Sequence, residues 1–172
     1  MRGHRLYWNT GVIHSKTVFA TTASANANAA SLNVYDTIQV TRAFGSIVEG
    51  EVVISEVGFS PRYDLDRWSG VITKPGHKLE GVNIRDKICF FPTAKGGIAA
   101  GWAFFDIKHK GIAPRAFIFG VTNPVMVQGA LFANITITEG WSRKPAEVLK
   151  NGDWVRVDPS RKVIELLRRG AD

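Results

Sequence analysis

Lys95, Gly96 and Gly97 stand in a row between an apolar run that ends at Pro92 and a segment, Ile98 to Lys110, with helical spacing. Strand, glycines and then helix is an order in which backbone amides at the positive end of the helix can approach a carboxylate or phosphate. A lysine at that point adds a full charge. The same residues have a plainer reading, in which two glycines merely turn the strand into the helix and Lys95 is solvated. A lone Gly-Gly does not decide between the two.

Other side chains with chemical potential are scattered. Arg62, Tyr63, Asp64 and Asp66 lie on a long Ser-, Pro-, Asp- and Gly-rich stretch, Gly58 to Gly81. Loops of that length in compact domains are often functional, although Asp64 to Arg67 can equally form a local turn and ion pair. Asn123, followed by Pro124, reads as a helix cap, with a role towards substrate as the lesser reading. His4, His14, His77 and His109 show no mutual metal-ligand spacing, so all four read as solvated surface histidines. The single cysteine, Cys89, sits in the apolar run Ile88 to Phe91 and reads as a small buried hydrophobe of a reducing, cytoplasmic compartment. One thiol cannot hold an iron–sulfur cluster, so this chain is expected to bind neither metal nor cofactor by itself. No nucleophile–base constellation marks it as a complete enzyme.

The elements that position these groups follow from periodicity. Ile47 to Ile54 reads as a strand with a bend or bulge at Gly50. Lys87 to Phe91 and Ala116 to Phe119 read as strands buried on both faces, joined through the helix that follows the glycines and therefore parallel. Ile98, Trp102 and Phe105 share one face of that helix, Gly111 ends it, and a second helix runs from Pro124 to about Phe132. Ile135 to Thr138 reads as a half-exposed strand, and Trp154 to Asp158 with Val163 to Leu167 reads as a closing hairpin. Strands at both ends with helices between them give an α/β fold, a barrel-like mixed sheet or β/β/α layer with short helices in a single domain. The tryptophans Trp68, Trp102, Trp141 and Trp154 read as core or subunit-interface mass rather than as a cofactor box.

Residues 1–43 contain a small-residue, low-complexity run, Thr21 to Ser31, and read as a disordered extension ahead of a domain over residues 44–172. The formal charge of +7 is carried at the ends: four basic residues and one acid before residue 44, ten and nine over 44–140, and eight and five beyond. A nearly neutral middle without clustered arginines argues against nucleic acid as partner. No run approaches the roughly 18 apolar residues of a membrane span, so no membrane role is expected.

Taken in order, several landmarks resemble the swivel domain of the aconitase X family. They are Glu49 to Val53 with Phe59, Ser69 to Ile72 within the loop from Asp64, Leu79-Glu80-Gly81, Pro92 to Gly97, Lys110 to Ala116, Thr122-Asn123-Pro124 and Gly152 to Asp158. The resemblance covers about Gly45 to Leu167. It implies a swivelling β/β/α unit that closes over a larger, iron- or iron–sulfur-bearing catalytic part. That part would be a separate large subunit here, making this chain the small subunit of a heterodimeric hydro-lyase. Members resemble dehydratases of small hydroxy acids, such as cis-3-hydroxy-L-proline, and of phosphomevalonate. Within the family the glycine loop carries a serine run thought to supply the base. This sequence reads Lys95-Gly96-Gly97-Ile98-Ala99-Ala100-Gly101, with lysine as the basic residue and every serine gone.

The resemblance tips the glycine loop towards the anion clamp. Lys95 and Thr93, the only hydroxyl left in the loop, become the catalytic candidates, and Gly96, Gly97, Arg62, Tyr63 and Asn123 the substrate-binding ones. The missing serines keep a second expectation open, a non-catalytic binding or regulatory module that retained the swivel fold.

Overall fold

The structure is a computed structural model that describes residues 33–171. Its elements in chain order are β1 (Asp36–Phe44), β2 (Val48–Ile54), the two-residue strands β3 (Leu65–Asp66) and β4 (Val71–Ile72), β5 (Ile88–Thr93), α1 (Ile98–His109), β6 (Ala116–Val121), α2 (Pro124–Phe132), β7 (Thr136–Trp141), α3 (Pro145–Val148), β8 (Trp154–Asp158) and β9 (Val163–Arg168). Seven strands close a barrel in the order β1-β7-β6-β5-β2-β8-β9, while β3 and β4 form a separate small hairpin.

Four consecutive barrel strands, β2, β5, β6 and β7, run parallel to one another, and antiparallel pairings through β1, β8 and β9 complete the closure. The parallel half is where the helices lie, because a parallel connection needs a crossover. Alternation along β5 and β6 divides their side chains between two cores. Ile88, Phe90, Ala116 and Ile118 join Ile38, Val52, Val155, Val157, Ile164 and Leu166 in one. Cys89, Phe91, Phe117 and Phe119 join Phe59, Phe104, Ile107 and Met126 in the other, the layer that includes the helices. Both strands are thus apolar throughout because each face is buried.

Several sequence expectations change. The expected domain start at residue 44 falls at the end of β1, which pairs with both β7 and β9 and supplies Ile38 and Val40 to the core. Alternation over Asp36–Phe44 was obscured by its exposed polar positions. The low-complexity run Thr21 to Ser31 lies outside the described residues. Gly50 makes no bulge: its register against β8 is regular, and a β-carbon there would meet Ile88 Cγ1 at 3.1 Å and the Asp86 carbonyl at 3.2 Å. Close approach, not bending, requires glycine.

The face of α1 marked by Ile98, Trp102 and Phe105 points outward, with Ile98 72% and Trp102 67% exposed. The buried face is Ala100, Gly101, Ala103, Phe104 and Ile107. The two helices cross at their glycines, since a β-carbon on Gly129 would lie 2.5 Å from the carbonyl oxygen of Gly101. Small residues let the backbones touch, and Trp102 and Phe105 are left outside while Phe104 is buried.

Candidate active site at the glycine loop

The end of β5 runs directly into the loop. Backbone bonds stitch it between two neighbours: Ala94 N donates to the Val121 carbonyl at 2.9 Å, and Lys95 N donates to the Phe59 carbonyl at 2.8 Å. In return Phe59 N donates to the Thr93 carbonyl at 2.9 Å. Residues 59–60 therefore lie alongside the loop as a short extra ladder, which only the folded chain reveals.

Two glycines are sterically required there. A β-carbon on Gly58 would stand 2.7 Å from Lys95 Cε and 2.9 Å from the Thr93 carbonyl oxygen, so the lysine stem lies across the bare backbone of Gly58. Gly96 has φ +122, and a β-carbon on it would be 2.5 Å from that of Ala100. Gly97 is the N-cap of α1, with no side chain capping it and no acid in the first turn. The amides at this helix end lack a side-chain acceptor and carry the positive pole of the helix dipole, a natural seat for an anion. Lys95 and Thr93 are both exposed beside it.

Asn123 serves the loop from α2. Its Oδ1 accepts from Met126 N at 3.0 Å, capping α2, and its Nδ2 donates to the Gly96 carbonyl at 3.1 Å. Both ends of the amide are engaged within the chain. Arg62 and Tyr63 sit on the turn that begins at Ser60. Tyr63 is 72% exposed, with the Arg62 guanidinium over its ring at 5.6 Å.

Beneath that turn lies a polar group that sequence reasoning did not assemble. Asp64 is fully buried, accepting from Ser60 N at 2.8 Å and paired with Lys74 at 3.0 Å. His77, expected at the surface, is 6% exposed. Its Nδ1 accepts from Leu79 N at 3.0 Å, which places the proton of the neutral ring on Nε2, a buried atom with no partner. Burial holds this imidazole below its ordinary value; Asp64 opposes that, while Lys74 and Lys95 add to it. Ser60 is 2% exposed, and its hydroxyl also lacks a partner. The only sequence signal was Ser60 and Asp64 four apart around Pro61, a turn signature rather than a site signature.

No three His, Cys, Asp or Glu side chains gather into a possible metal site among the described residues. Cys89 is completely buried, and burial pushes its thiol far above the ordinary range. These residues do not fit an iron or iron–sulfur centre. No helix among the described residues is long and apolar enough to cross a membrane.

Residues 37–166 match the family model of the aconitase X swivel domain. The chain belongs to the aconitase X swivel-domain family. Among its relatives is the phosphomevalonate dehydratase small subunit of Methanococcoides burtonii, 34% identical over 123 residues, 72% of this chain and 90% of the relative. The corresponding subunit of Pyrococcus furiosus is 32% identical, again over 72% of this chain and 90% of its own length. Among solved structures, the holo-form of Thermococcus kodakaraensis aconitase X superposes with a TM-score of 0.71 at 28% identity, covering 77% of this chain and 99% of that one. As an aconitase X swivel domain, the chain has the barrel and short helices expected of it, and a glycine loop without serine.

Proposed function

We propose that this chain is the small, swivelling subunit of a two-subunit hydro-lyase, and that its glycine loop binds an anionic group of a small hydroxy-acid substrate. The observation that carries this reading is the conjunction of an uncapped helix N-terminus, a glycine-lined approach and the Lys95 side-chain stem laid across Gly58. The relatives named phosphomevalonate dehydratase small subunit favour a phosphorylated hydroxy acid over a cis-3-hydroxy-L-proline-like one.

In this reading a large partner subunit carries the iron or iron–sulfur centre, which supplies the Lewis acidity that helps the substrate hydroxyl leave. The swivel subunit contributes position and charge. Lys95 and the first amides of α1 hold a carboxylate or phosphate, charge-assisted hydrogen bonds each worth about 1.5–3 kcal/mol. Thr93 stands at the loop edge as its exposed hydroxyl, and Arg62 and Tyr63 form the rim. Asn123 keeps Gly96 in place. Rigid-body closure of the barrel over the partner would expel water and complete the site. The aromatic side chains exposed on α1 and α2 have the composition of a subunit interface, which supports a partner.

The absence of serine favours a second reading, a binding or regulatory swivel module without catalytic duty. The test is co-expression with a candidate large subunit and assay of dehydration of 5-phosphomevalonate and cis-3-hydroxy-L-proline, with Lys95→Ala beside the wild type. Activity that needs both chains and falls steeply with Lys95→Ala supports the proposal. A stable complex indifferent to Lys95→Ala removes the clamp, and an inactive complex leaves the binding module.

A further inference from the structure

The hydroxyl of Ser60 approaches the glycine loop from another segment. Its Oγ lies 3.6 Å from the point where a β-carbon on Gly96 would sit. The residue is 2% exposed, yet Oγ has no hydrogen-bond partner. The nearby Asp64 carboxylate does not pair with it: Oδ2 accepts from Ser60 N at 2.8 Å, and Oδ1, ion-paired with Lys74 at 3.0 Å, has no hydrogen-bond partner of its own. The Ser60 carbonyl is also committed, accepting from Asp64 N at 2.9 Å and Tyr63 N at 3.3 Å. Everything about this residue is fixed in place except the one group left unsatisfied.

A buried hydroxyl without a partner destabilises a fold, and replacing it by a methyl-sized group should be harmless or favourable. Its presence beside a loop read as an anion clamp calls for another reason. The space beside Gly96, whose backbone conformation favours glycine, is shared by Ser60 Oγ and the Ala100 methyl, which would lie 3.6 Å and 2.5 Å from a β-carbon there.

We propose that Ser60 is a substrate-binding residue: its hydroxyl donates to the oxyanion, carboxylate or phosphate, held by Lys95 and the α1 amides, supplying from the 58–64 segment the hydroxyl that the loop itself lacks. The inference rests on the anion-clamp reading of the loop. It is distinct from a proton-transfer role, since an O–H donor to a charged oxygen leaves its own proton in place.

The test uses the two-subunit enzyme with Ser60→Ala, Ser60→Thr and Lys95→Ala. Ser60→Ala should raise KM about tenfold or more, as loss of a hydrogen bond to a charged group does, while kcat changes less and Tm is equal to or above that of the wild type. Ser60→Thr, which keeps the hydroxyl, should restore part of the affinity. Competition by inorganic phosphate and by acetate separates the two oxyanions: Ser60→Ala should weaken whichever one occupies the loop. If Ser60→Ala lowers Tm and activity together and Ser60→Thr rescues neither, the residue is structural and the proposal fails. Unchanged KM in Ser60→Ala, with Lys95→Ala still impaired, overturns Ser60 alone. Unchanged kinetics in Lys95→Ala overturns the clamp and this inference with it.

Discussion

Gly58 and Lys95 occupy one space. The lysine's Cε lies 2.7 Å from where a β-carbon on Gly58 would be, although the two residues are far apart in sequence. Gly58→Ala should therefore act on the site and not merely on the fold. Its methyl group would also meet the Thr93 carbonyl at 2.9 Å, so the ladder between Phe59 and Thr93 must shift. We expect a loss of about 1–3 kcal/mol in denaturant unfolding, as overpacking commonly costs, together with a fall in activity of the two-subunit enzyme. Wild-type activity in Gly58→Ala would mean that the position of Lys95 is unimportant.

Asn123 offers a separation of two roles. Asn123→Ala removes the α2 cap and the bond to Gly96, and should cost about 1 kcal/mol of stability. Asn123→Asp still accepts from Met126 N but cannot donate to the Gly96 carbonyl. Most of the stability should therefore return with Asp while substrate affinity does not, measured as Tm and KM in parallel.

The buried His77 predicts a pH dependence of stability. Its value in the folded chain is held below the ordinary 6.5, chiefly by burial. The unfolded chain then binds the proton more readily than the folded one, so stability rises with pH across that window. It should be at its full value above about pH 6.5 and decline as the pH falls below it. Unfolding free energies of His77→Gln, compared with wild type between pH 7 and 5, should show a flatter slope. Equal slopes would place the imidazole in contact with solvent.

Cys89 should be inert in the folded protein. Its thiol is buried and pushed far above the ordinary range, so thiolate is scarce at neutral pH. Alkylation by iodoacetamide at pH 8 should occur only after unfolding, read by mass spectrometry. Rapid labelling of the native chain would contradict its place in the helix-side core.

The helix crossing should tolerate little. Gly129→Ala would set a methyl group 2.5 Å from the carbonyl oxygen of Gly101 and 2.6 Å from its Cα. Backbone cannot yield as a flexible side chain can, so a loss of about 2–3 kcal/mol is expected, with a lowered Tm as its measure.

By itself the sequence determined whatever depends on near neighbours. Continuous apolar runs at Ile88 to Phe91 and Ala116 to Phe119 meant strands covered on both faces, and the helix between them required a parallel pair. Asn123-Pro124 specified a helix start, and the glycines after Thr93 marked the strand-to-helix passage at which an anion could bind. Each of these signals rests on propensity, capping or period, all of which act over a few residues.

Only the tertiary structure decided what meets across long separations. Barrel closure drew in β1, whose alternation was too weak to read alone. Helix crossing at Gly101 and Gly129, rather than hydrophobic spacing, chose which face of α1 was buried. Folding of the 58–64 segment against the 93–97 loop brought Ser60 beside Gly96 and laid Lys95 over Gly58. Burial turned His77 from an expected surface side chain into a buried neutral ring. These outcomes depend on packing and desolvation, which no local pattern encodes.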